Sequence, residues 1–228
     1  MLLLNLNSSV HRLCVILGSL LLAATLAVAQ ADFSRMRQEA LSRYGPNTAL
    51  LVDKWQEEIS ALEPLPVEQQ LQRANDFFNS RVRWAPDTLT WEKNDYWATP
   101  LEVLGQRAGD CEDFAIAKYA TLVLAGVDVD KLRITYVKVE RTTEKGIETQ
   151  AHMVLAYYPS ATDEPLILDN LVDEILPASR RPDLTPVYGF NGRGIWVGGA
   201  SRPASTQPAA KLTRWRDLLH RAKAEGLG

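Results

Sequence analysis

Apolar residues divide the chain into a helical first half and a strand-rich second half. In three segments between residues 32 and 79, apolar side chains recur every three or four positions, as in helices that bury one face. Gly45-Pro46 separates the first two segments, and the third covers residues 67–79. A short helix is expected over residues 101–107, with Pro100 starting it. Core packing is the default role of these segments.

After residue 126 the pattern changes to the alternation that is typical of strands. The predicted strands are residues 132–139, 151–158, 166–170 and 195–197. The charged stretch 140–150 is expected to form a hairpin connection or an exposed loop, and the proline- and glycine-rich stretch 177–194 is expected to be irregular. The second half therefore predicts a group of strands with polar connections.

A very apolar helix is predicted between these halves, starting at Cys111. Asp110 is a good N-cap, and Asp113 stands three residues later as its capping-box partner. Residues 114–124 are apolar except for a lysine and a threonine, and Gly126 ends the run. A helix that is apolar on all sides belongs in the middle of a domain. Cys111 is thus expected at the N-terminus of a buried helix, where the helix dipole favours a thiolate.

Residues 1–29 have the pattern of a cleaved signal peptide. Arg12 precedes an uncharged apolar run over residues 13–28, and Ala27-Val28-Ala29 matches the small-x-small pattern of a signal-peptidase site. A membrane anchor is the alternative, although the run is short for a bilayer span. We therefore expect a periplasmic chain that begins near Gln30.

Export limits the chemistry of the remaining chain. Of the two cysteines, Cys14 lies in the leader, so the exported chain holds one thiol and no intramolecular disulfide. The formal net charge of the full chain is −3, and loss of Arg12 makes it one unit more negative. This mildly acidic balance gives no general case for nucleic-acid binding.

A lone thiol is either a small buried apolar group or a reactive one. The acids beside Cys111 argue against simple burial, because buried carboxylates are costly. His152 begins one predicted strand and Asp169 ends the next, which supplies a base for the thiol and an acid that orients the base. Alone, each has an ordinary structural explanation, but the combination favours catalysis. His11 lies in the leader and His220 in the basic tail, so His152 is the only candidate base.

Three acids next to the thiol raise the question of a metal. Asp110, Glu112 and Asp113 should raise the pKa of Cys111 and oppose its ionisation. A bound cation would remove this conflict, and carboxylate oxygens suit calcium. The alternative is that the acids only complement the helix dipole. Zinc is disfavoured because it would take the thiolate and His152 as ligands.

Two further segments have open roles. The aromatic residues of segment 80–100 either line a substrate cleft or pack over the central helix; they are Trp84, Trp91, Tyr96 and Trp97. Residues 200–210 have the composition of a flexible linker. Residues 211–224 form a basic amphipathic helix that either docks on the domain or contacts a membrane surface or a partner.

Three motifs carry a resemblance to a known family. Gly109-Asp110-Cys111-Glu112-Asp113-Phe114-Ala115, Ala151-His152-Met153 and Leu168-Asp169-Asn170 resemble the bacterial transglutaminase-like cysteine proteinases, closely the LapG type. The resemblance covers roughly residues 35–200 and implies a papain-like α+β fold, in which N-terminal helices and a central cysteine-bearing helix pack on an antiparallel sheet. The protease domain would then be residues 30–200, followed by a linker and amphipathic helix over 201–228.

The resemblance also implies site residues and a function. Cys111, His152 and Asp169 carry over as the catalytic triad and Asp110 and Glu112 as calcium ligands, while Asp113 matches the motif with a less secure liganding role. The implied enzyme is a calcium-dependent periplasmic endopeptidase that cleaves the N-terminal region of a large surface adhesin at a di-alanine site and so releases cells from biofilm. An inner-membrane receptor that senses cyclic-di-GMP would hold it inactive.

Two other functions remain open at the level of sequence. A transglutaminase or amidase would use the same triad on glutamine side chains, because only the acceptor of the acyl group differs. A calcium-binding interaction module without catalysis would retain the thiol as a relic.

Overall fold

The computed structural model describes residues 31–144 and 146–228. The predicted signal peptide, residues 1–29, lies outside the described residues. The residues from Ala31 to Gly228 belong to one compact unit. Within the part of the chain described, no helix is both long and apolar enough to cross a membrane.

The first half folds into helices whose apolar faces meet in a shared core. They are α1 (Phe33–Tyr44), α2 (Pro46–Leu62), α3 (Val67–Asn79), α4 (Asp87–Thr90), α5 (Pro100–Gln106) and α6 (Cys111–Leu124). Gly45 separates α1 from α2 with a φ of 88°, a conformation that residues with a Cβ rarely adopt. The predicted breaks and the helix over residues 67–79 are confirmed, because apolar spacing and turn residues agree there.

The second half forms a six-stranded antiparallel sheet. Its strands are β3 (Leu132–Thr143), β4 (Gly146–Tyr157), β5 (Leu166–Leu168), β6 (Leu176–Pro177), β7 (Leu184–Phe190) and β8 (Ile195–Val197). They lie in the order β6-β5-β4-β3-β7-β8. A separate parallel pair joins β1 (Arg83–Trp84) to β2 (Ala108–Gly109), directly before Cys111. All four predicted strands are present.

The β3–β4 hairpin is longer than the sequence predicted. Most of the stretch 140–150, expected as a connection or a loop, continues the two strands until Thr143 pairs with Gly146. The side chains of this part are largely exposed on both faces. Because neither face is buried, the sequence has no apolar alternation there, although the backbone ladder continues.

Strand β7 lies inside the stretch 177–194 that was expected to be irregular, and that prediction was wrong. It pairs with β3 through a register shift between Tyr136 and Val137. Pro186 pairs at this irregularity, where a missing N–H is tolerated. A Cβ on Gly189 would lie 3.1 Å from Thr135 Oγ1, so glycine permits close pairing. The proline and glycine residues that led to the prediction of an irregular stretch are thus explained by the pairing of β7 with β3.

Helix α6 lies at the centre of the core, in contact with β3 and β4 of the sheet and with α3. Its buried side chains include Phe114, Ala115, Ile116, Ala117, Tyr119 and Leu122. The opposite face of the sheet carries a smaller apolar cluster of Val137, Val154, Ala156, Tyr158 and Ile167. The helix that starts at Cys111 is therefore covered on several sides, as its apolar sequence predicted.

The C-terminal segment docks on the same unit. It contains α7 (Pro208–Lys211) and α8 (Thr213–Ala224). Trp215 of α8 is buried, with its ring edge-on to Phe190 at a centroid distance of 5.3 Å. Arg221 of α8 forms an ion pair with Glu102 and donates to the backbone carbonyl of Trp97. Docking on the domain, one of the two roles left open for this helix, is thus observed.

Candidate active site

Cys111 is the first residue of α6, and the residues around it fix its position. The β1–β2 pair leads directly into this helix. Asp113 accepts hydrogen bonds from the backbone N–H groups of Ala98, at 2.8 Å, and of Asp110, at 3.3 Å. A Cβ on Gly109 would lie 2.7 Å from Asp113 Oδ2. The predicted capping role of Asp113 is confirmed, and it requires glycine at position 109.

His152 and Asp169 form a buried hydrogen-bonded pair. His152 lies on β4, and Asp169 follows the neighbouring strand β5. The distance from His152 Nε2 to Asp169 Oδ1 is 2.7 Å, and the same oxygen accepts the backbone N–H of Leu171 at 3.0 Å. Burial acts to raise the pKa of Asp169, but the hydrogen bond and charge of His152, the Leu171 amide and Arg181 outweigh it and lower this pKa to about 2. Asp169 is therefore ionised at neutral pH.

Cys111 and His152 line one cleft of about 580 Å³, bordered by the start of α6 and the β3–β4 hairpin. The backbone amide of Met153, next to His152 on β4, favours the thiolate form of Cys111. Because Asp169 engages Nε2 of His152, Nδ1 is the ring nitrogen left to accept a proton. The structure thus brings the three predicted residues into one site, with His152 in contact with Asp169 and beside the cleft that holds Cys111.

The thiol of Cys111 is in an environment that disfavours its ionisation. Its Sγ donates to Glu112 Oε2 at 3.1 Å. Burial, followed by the charge and hydrogen bond of Glu112 and the charge of Asp110, raises the pKa of Cys111, and the Met153 amide opposes this shift. The conflict between a reactive thiol and adjacent acids therefore exists in the folded protein.

A group of carboxylates surrounds the start of α6. In one set of three, the carboxylate oxygens of Asp87, Asp110 and Asp113 lie within 4.8 Å of one another. A second set with the same spacing joins Asp87 to Asp95 and Glu112. Asp87 and Asp95 were missed at the level of sequence, since they lie far upstream of Cys111 and only tertiary folding brings them to the cluster.

The electrostatics of this cluster fit a cation. Burial, and then repulsion from Glu112 and other acids, raises the pKa of Asp110 to about 10 and that of Asp87 to about 6. The Oδ1 atom of each is buried without a hydrogen-bond partner among the described residues. Such oxygens are ligands that calcium prefers. Both oxygens of Asp113, in contrast, accept backbone N–H groups, so its role as a ligand stays a prediction.

The aromatic segment contributes to the cleft only in part. Trp84 and Trp97 line it, as one interpretation of this segment expected. Trp91 and Tyr96 instead pack against each other, with ring centroids 4.9 Å apart, at the edge of the core. The cleft interpretation is therefore right for two of these side chains and wrong for the other two.

Two tyrosines and an arginine of the cleft were also missed by sequence reasoning. Tyr136 and Tyr188 stack with centroids 5.5 Å apart on neighbouring strands. Arg214 of α8 also lines the cleft, with its Nε 2.7 Å from Asp95 Oδ1. The tyrosines belong to strands whose pairing was not predicted, and the contact of Arg214 depends on the docking of the C-terminal helix.

Comparison with known proteins identifies relatives of this chain. A family model described as bacterial transglutaminase-like cysteine proteinase matches residues 54–183. A structure of Legionella pneumophila LapG is 41% identical and superposes with a TM-score of 0.69 over 84% of this chain and 98% of that one. No curated protein matches the chain at comparable stringency.

Two further LapG structures from Legionella pneumophila differ in calcium. The calcium-bound form is 41% identical, with a TM-score of 0.67 over 83% of this chain and 98% of that one. The EGTA-treated form is 40% identical, with a TM-score of 0.68 over 84% and 98%. These matches confirm the expected transglutaminase-like α+β fold. With the family model covering more than half of its length, this chain belongs to the bacterial transglutaminase-like cysteine proteinases.

Proposed function

We propose that this cysteine proteinase is a calcium-dependent endopeptidase in which Cys111, His152 and Asp169 form the catalytic triad. The observation that carries this proposal is the buried 2.7 Å hydrogen bond between His152 and Asp169 beside a cleft that holds a free cysteine. An oriented imidazole next to a thiol at a helix N-terminus is the arrangement that activates a sulfur nucleophile.

The reaction follows from this geometry. With its Nε2–H held by Asp169, His152 takes the Cys111 proton on Nδ1, and the thiolate attacks the peptide carbonyl. Backbone N–H groups at the start of α6, including that of Cys111, stabilise the resulting oxyanion. The amine leaves with the proton from His152 as the thioester forms. A water molecule, deprotonated by His152, then hydrolyses the thioester and regenerates the thiol.

Asp110 and Glu112 would hold the calcium ion, and Asp87 and Asp95 extend the set of available oxygens. The ion supplies positive charge beside carboxylates that otherwise raise the pKa of Cys111. The existence of calcium-bound and EGTA-treated LapG structures supports a role for calcium in this family.

The substrate and setting are proposed from the resemblance of the motifs to the LapG type. The substrate is the N-terminal region of a large surface adhesin, cut at a di-alanine site, so that cleavage disperses biofilm. The leader at residues 1–29 would export the enzyme to the periplasm, where an inner-membrane receptor for cyclic-di-GMP binds and inhibits it. An open cleft lined by Trp84 and Trp97 is compatible with an extended peptide.

Three variants test the enzyme. Cys111→Ala should abolish cleavage of a purified adhesin N-terminal fragment in calcium, with nearly unchanged thermal unfolding, because only a small side chain is removed. His152→Ala should lower kcat on the order of 1,000-fold or more. His220→Ala, which alters an exposed histidine of α8, is the matched control and should retain full activity.

The outcomes distinguish the remaining functions. Cleavage by the Cys111→Ala variant would refute the proposed mechanism. Incorporation of dansylcadaverine into protein without cleavage of the fragment would instead identify a transglutaminase. Calcium binding without turnover of either kind would identify an interaction module.

A further inference from the structure

We propose that Arg181 is a positioning residue of the triad, which holds the Asp169 carboxylate in the orientation that directs His152. It acts from the face of the sheet opposite the cleft. The inference rests on the proposed cysteine-protease function, because it assigns a role within that site.

The two oxygens of Asp169 have different partners. Oδ1 accepts from His152 Nε2 at 2.7 Å and from the Leu171 N–H at 3.0 Å. Oδ2 lies 2.9 Å from Nη1 of Arg181 in an ion pair that is almost completely buried, with side-chain exposures of 4% for Arg181 and 0% for Asp169. Neither Oδ2 nor Nη1 has a hydrogen-bond partner among the described residues, so these two atoms meet as an ion pair without hydrogen-bond geometry. Arg181 is thus the group that fixes the outer edge of the carboxylate.

Arg181 is itself held in place by its other two nitrogens. Nε and Nη2 donate to the two carboxylate oxygens of Asp183 at 3.0 and 2.8 Å. Such a bidentate pair fixes the plane of the guanidinium group. The backbone N–H of Arg181 donates to Ala178, closing a short turn after β6. The remaining nitrogen, Nη1, is therefore held within ion-pair distance of Asp169 Oδ2 by a rigid support.

The backbone of Asp169 is fixed independently of Arg181. Its carbonyl oxygen accepts from Nζ of Lys118, at 3.0 Å, and from Nδ2 of Asn79, at 2.9 Å. Both donors come from helices on the cleft side of the sheet. Removing Arg181 should consequently leave the chain path at Asp169 in place and affect mainly the rotation of its carboxylate.

Arg181 does not line the cleft. It borders a separate cavity of about 390 Å³ on the far face of the sheet, which also contacts Val154 and Ile167. A defect at Arg181 should therefore lower the rate of the chemical step without weakening the binding of substrate. With kcat expressed per folded molecule, this separation of kcat from KM distinguishes a positioning role from a contact with substrate.

The test compares Arg181→Met with Arg133→Met in the calcium-loaded protein. Arg133 is similarly buried on the same sheet, but its guanidinium stacks on Tyr158 and Trp196 and donates to the Ala200 carbonyl. Using a peptide with an Ala-Ala scissile bond, we expect Arg181→Met to lower kcat about 10- to 100-fold with KM within about 2-fold. Arg133→Met should keep kcat near the wild-type value, and Arg181→Lys should recover part of the loss.

A second measurement applies even if turnover is absent. The chain after residue 29 has two histidines, His152 and His220, so the NMR signals of His152 are readily assigned. The strongly hydrogen-bonded Nε2–H signal of His152 should shift or broaden in Arg181→Met and stay in place in Arg133→Met. Asp183→Asn, which loosens the support of Arg181 at a partly exposed position, should give a smaller change in the same direction.

The possible results separate the two proposals. An unchanged His152 signal and an unchanged kcat in folded Arg181→Met would overturn the role of Arg181. Equal loss of kcat in Arg181→Met and Arg133→Met would also overturn it, since it would indicate general destabilisation. If the wild-type protein fails to cleave any peptide, the proposed function fails, while the NMR comparison still decides whether Arg181 orients the pair.

Discussion

At the scale of single residues, the most informative feature is the contact between the Cys111 thiol and Glu112. A nucleophile that donates a hydrogen bond to a carboxylate is held in its protonated form. His152 alone has to overcome this bias unless another positive charge lies nearby. The reactivity of the Cys111 thiol is therefore predicted to depend on the cations that the neighbouring carboxylates bind.

Chelation of calcium should slow the alkylation of Cys111 near neutral pH. Burial and the adjacent acids raise the pKa of this thiol, and a cation at Asp110 and Glu112 would lower it again. The rate of labelling by iodoacetamide can be followed by mass spectrometry between pH 6 and 10. The midpoint of its increase with pH should lie at a lower pH in calcium than in EGTA.

Cys111→Ser provides the control for this experiment, because Cys111 is the free cysteine of the described residues and no label should be incorporated without it. Identical pH profiles with and without calcium would show that the acids do not control the thiol.

At the scale of elements, the start of α6 depends on close packing between a loop and a capping side chain. Asp113 binds two backbone N–H groups and lies against the Cα of residue 109. The carboxylate of Asp113 therefore ties the start of α6 to Ala98, which lies just before α5.

Gly109→Ala should destabilise the protein by about 1–3 kcal/mol and lower its activity, since the new Cβ would overlap with Asp113 and displace the start of α6. Gly199→Ala is the matched control, because nothing lies within 4 Å of a Cβ at that position. Urea unfolding and kcat of the two variants provide the comparison. Equal stability of both variants would show that the loop adjusts without cost.

The elements also show where prediction from sequence succeeds. Helices α1, α2, α3 and α6 were predicted closely, because each combines apolar spacing with glycine, proline or capping residues at its ends. Strand β7 and the outer part of the β3–β4 hairpin were not, since their pairing partners are distant or their side chains face solvent. The outer part of the hairpin is held by its backbone ladder, which leaves little trace in the sequence.

The candidate site also contains residues that sequence reasoning found and residues that it missed. Cys111, His152 and Asp169 were found because a thiol, an imidazole and a carboxylate each have a distinct chemistry and occur at the ends of predicted elements. Asp87, Asp95 and Arg181 were not, because acids and arginines are common on surfaces. Only the folded structure shows that Asp87 and Asp95 join the acid cluster and that Arg181 is buried against Asp169.

At the scale of the whole molecule, the raised pKa values of the acid cluster link its protonation to the stability of the fold. In the folded state without a cation, the pKa of Asp87 is raised to about 6 and that of Asp110 to about 10, whereas both ionise near 4 in an unfolded chain. The folded protein therefore retains protons that the unfolded chain releases, and its stability falls as the pH rises above about 4.

Without calcium, the free energy of unfolding should thus be higher at pH 5 than at pH 8. With calcium this difference in the free energy of unfolding should shrink or change sign, because the ion binds the ionised carboxylates of the folded state. Urea unfolding at pH 5, 6, 7 and 8 in EGTA and in calcium measures both dependences.

Asp110→Asn serves as a control, since asparagine is still a good N-cap but no longer titrates. This variant should show a flatter dependence on pH in EGTA. Stability of the wild-type protein that rises with pH in EGTA would contradict the assignment of the cluster.

The docked C-terminal helix has a consequence for the motions of the cleft. The segment before α5 is bound on its inner side by Asp113, through the Ala98 N–H, and on its outer side by Arg221, through the Trp97 carbonyl. Trp97 forms part of the cleft wall. Departure of α8 would free this wall on one side, so in hydrogen exchange the helix and the wall would open as one cooperative unit, well before the strands of the central sheet.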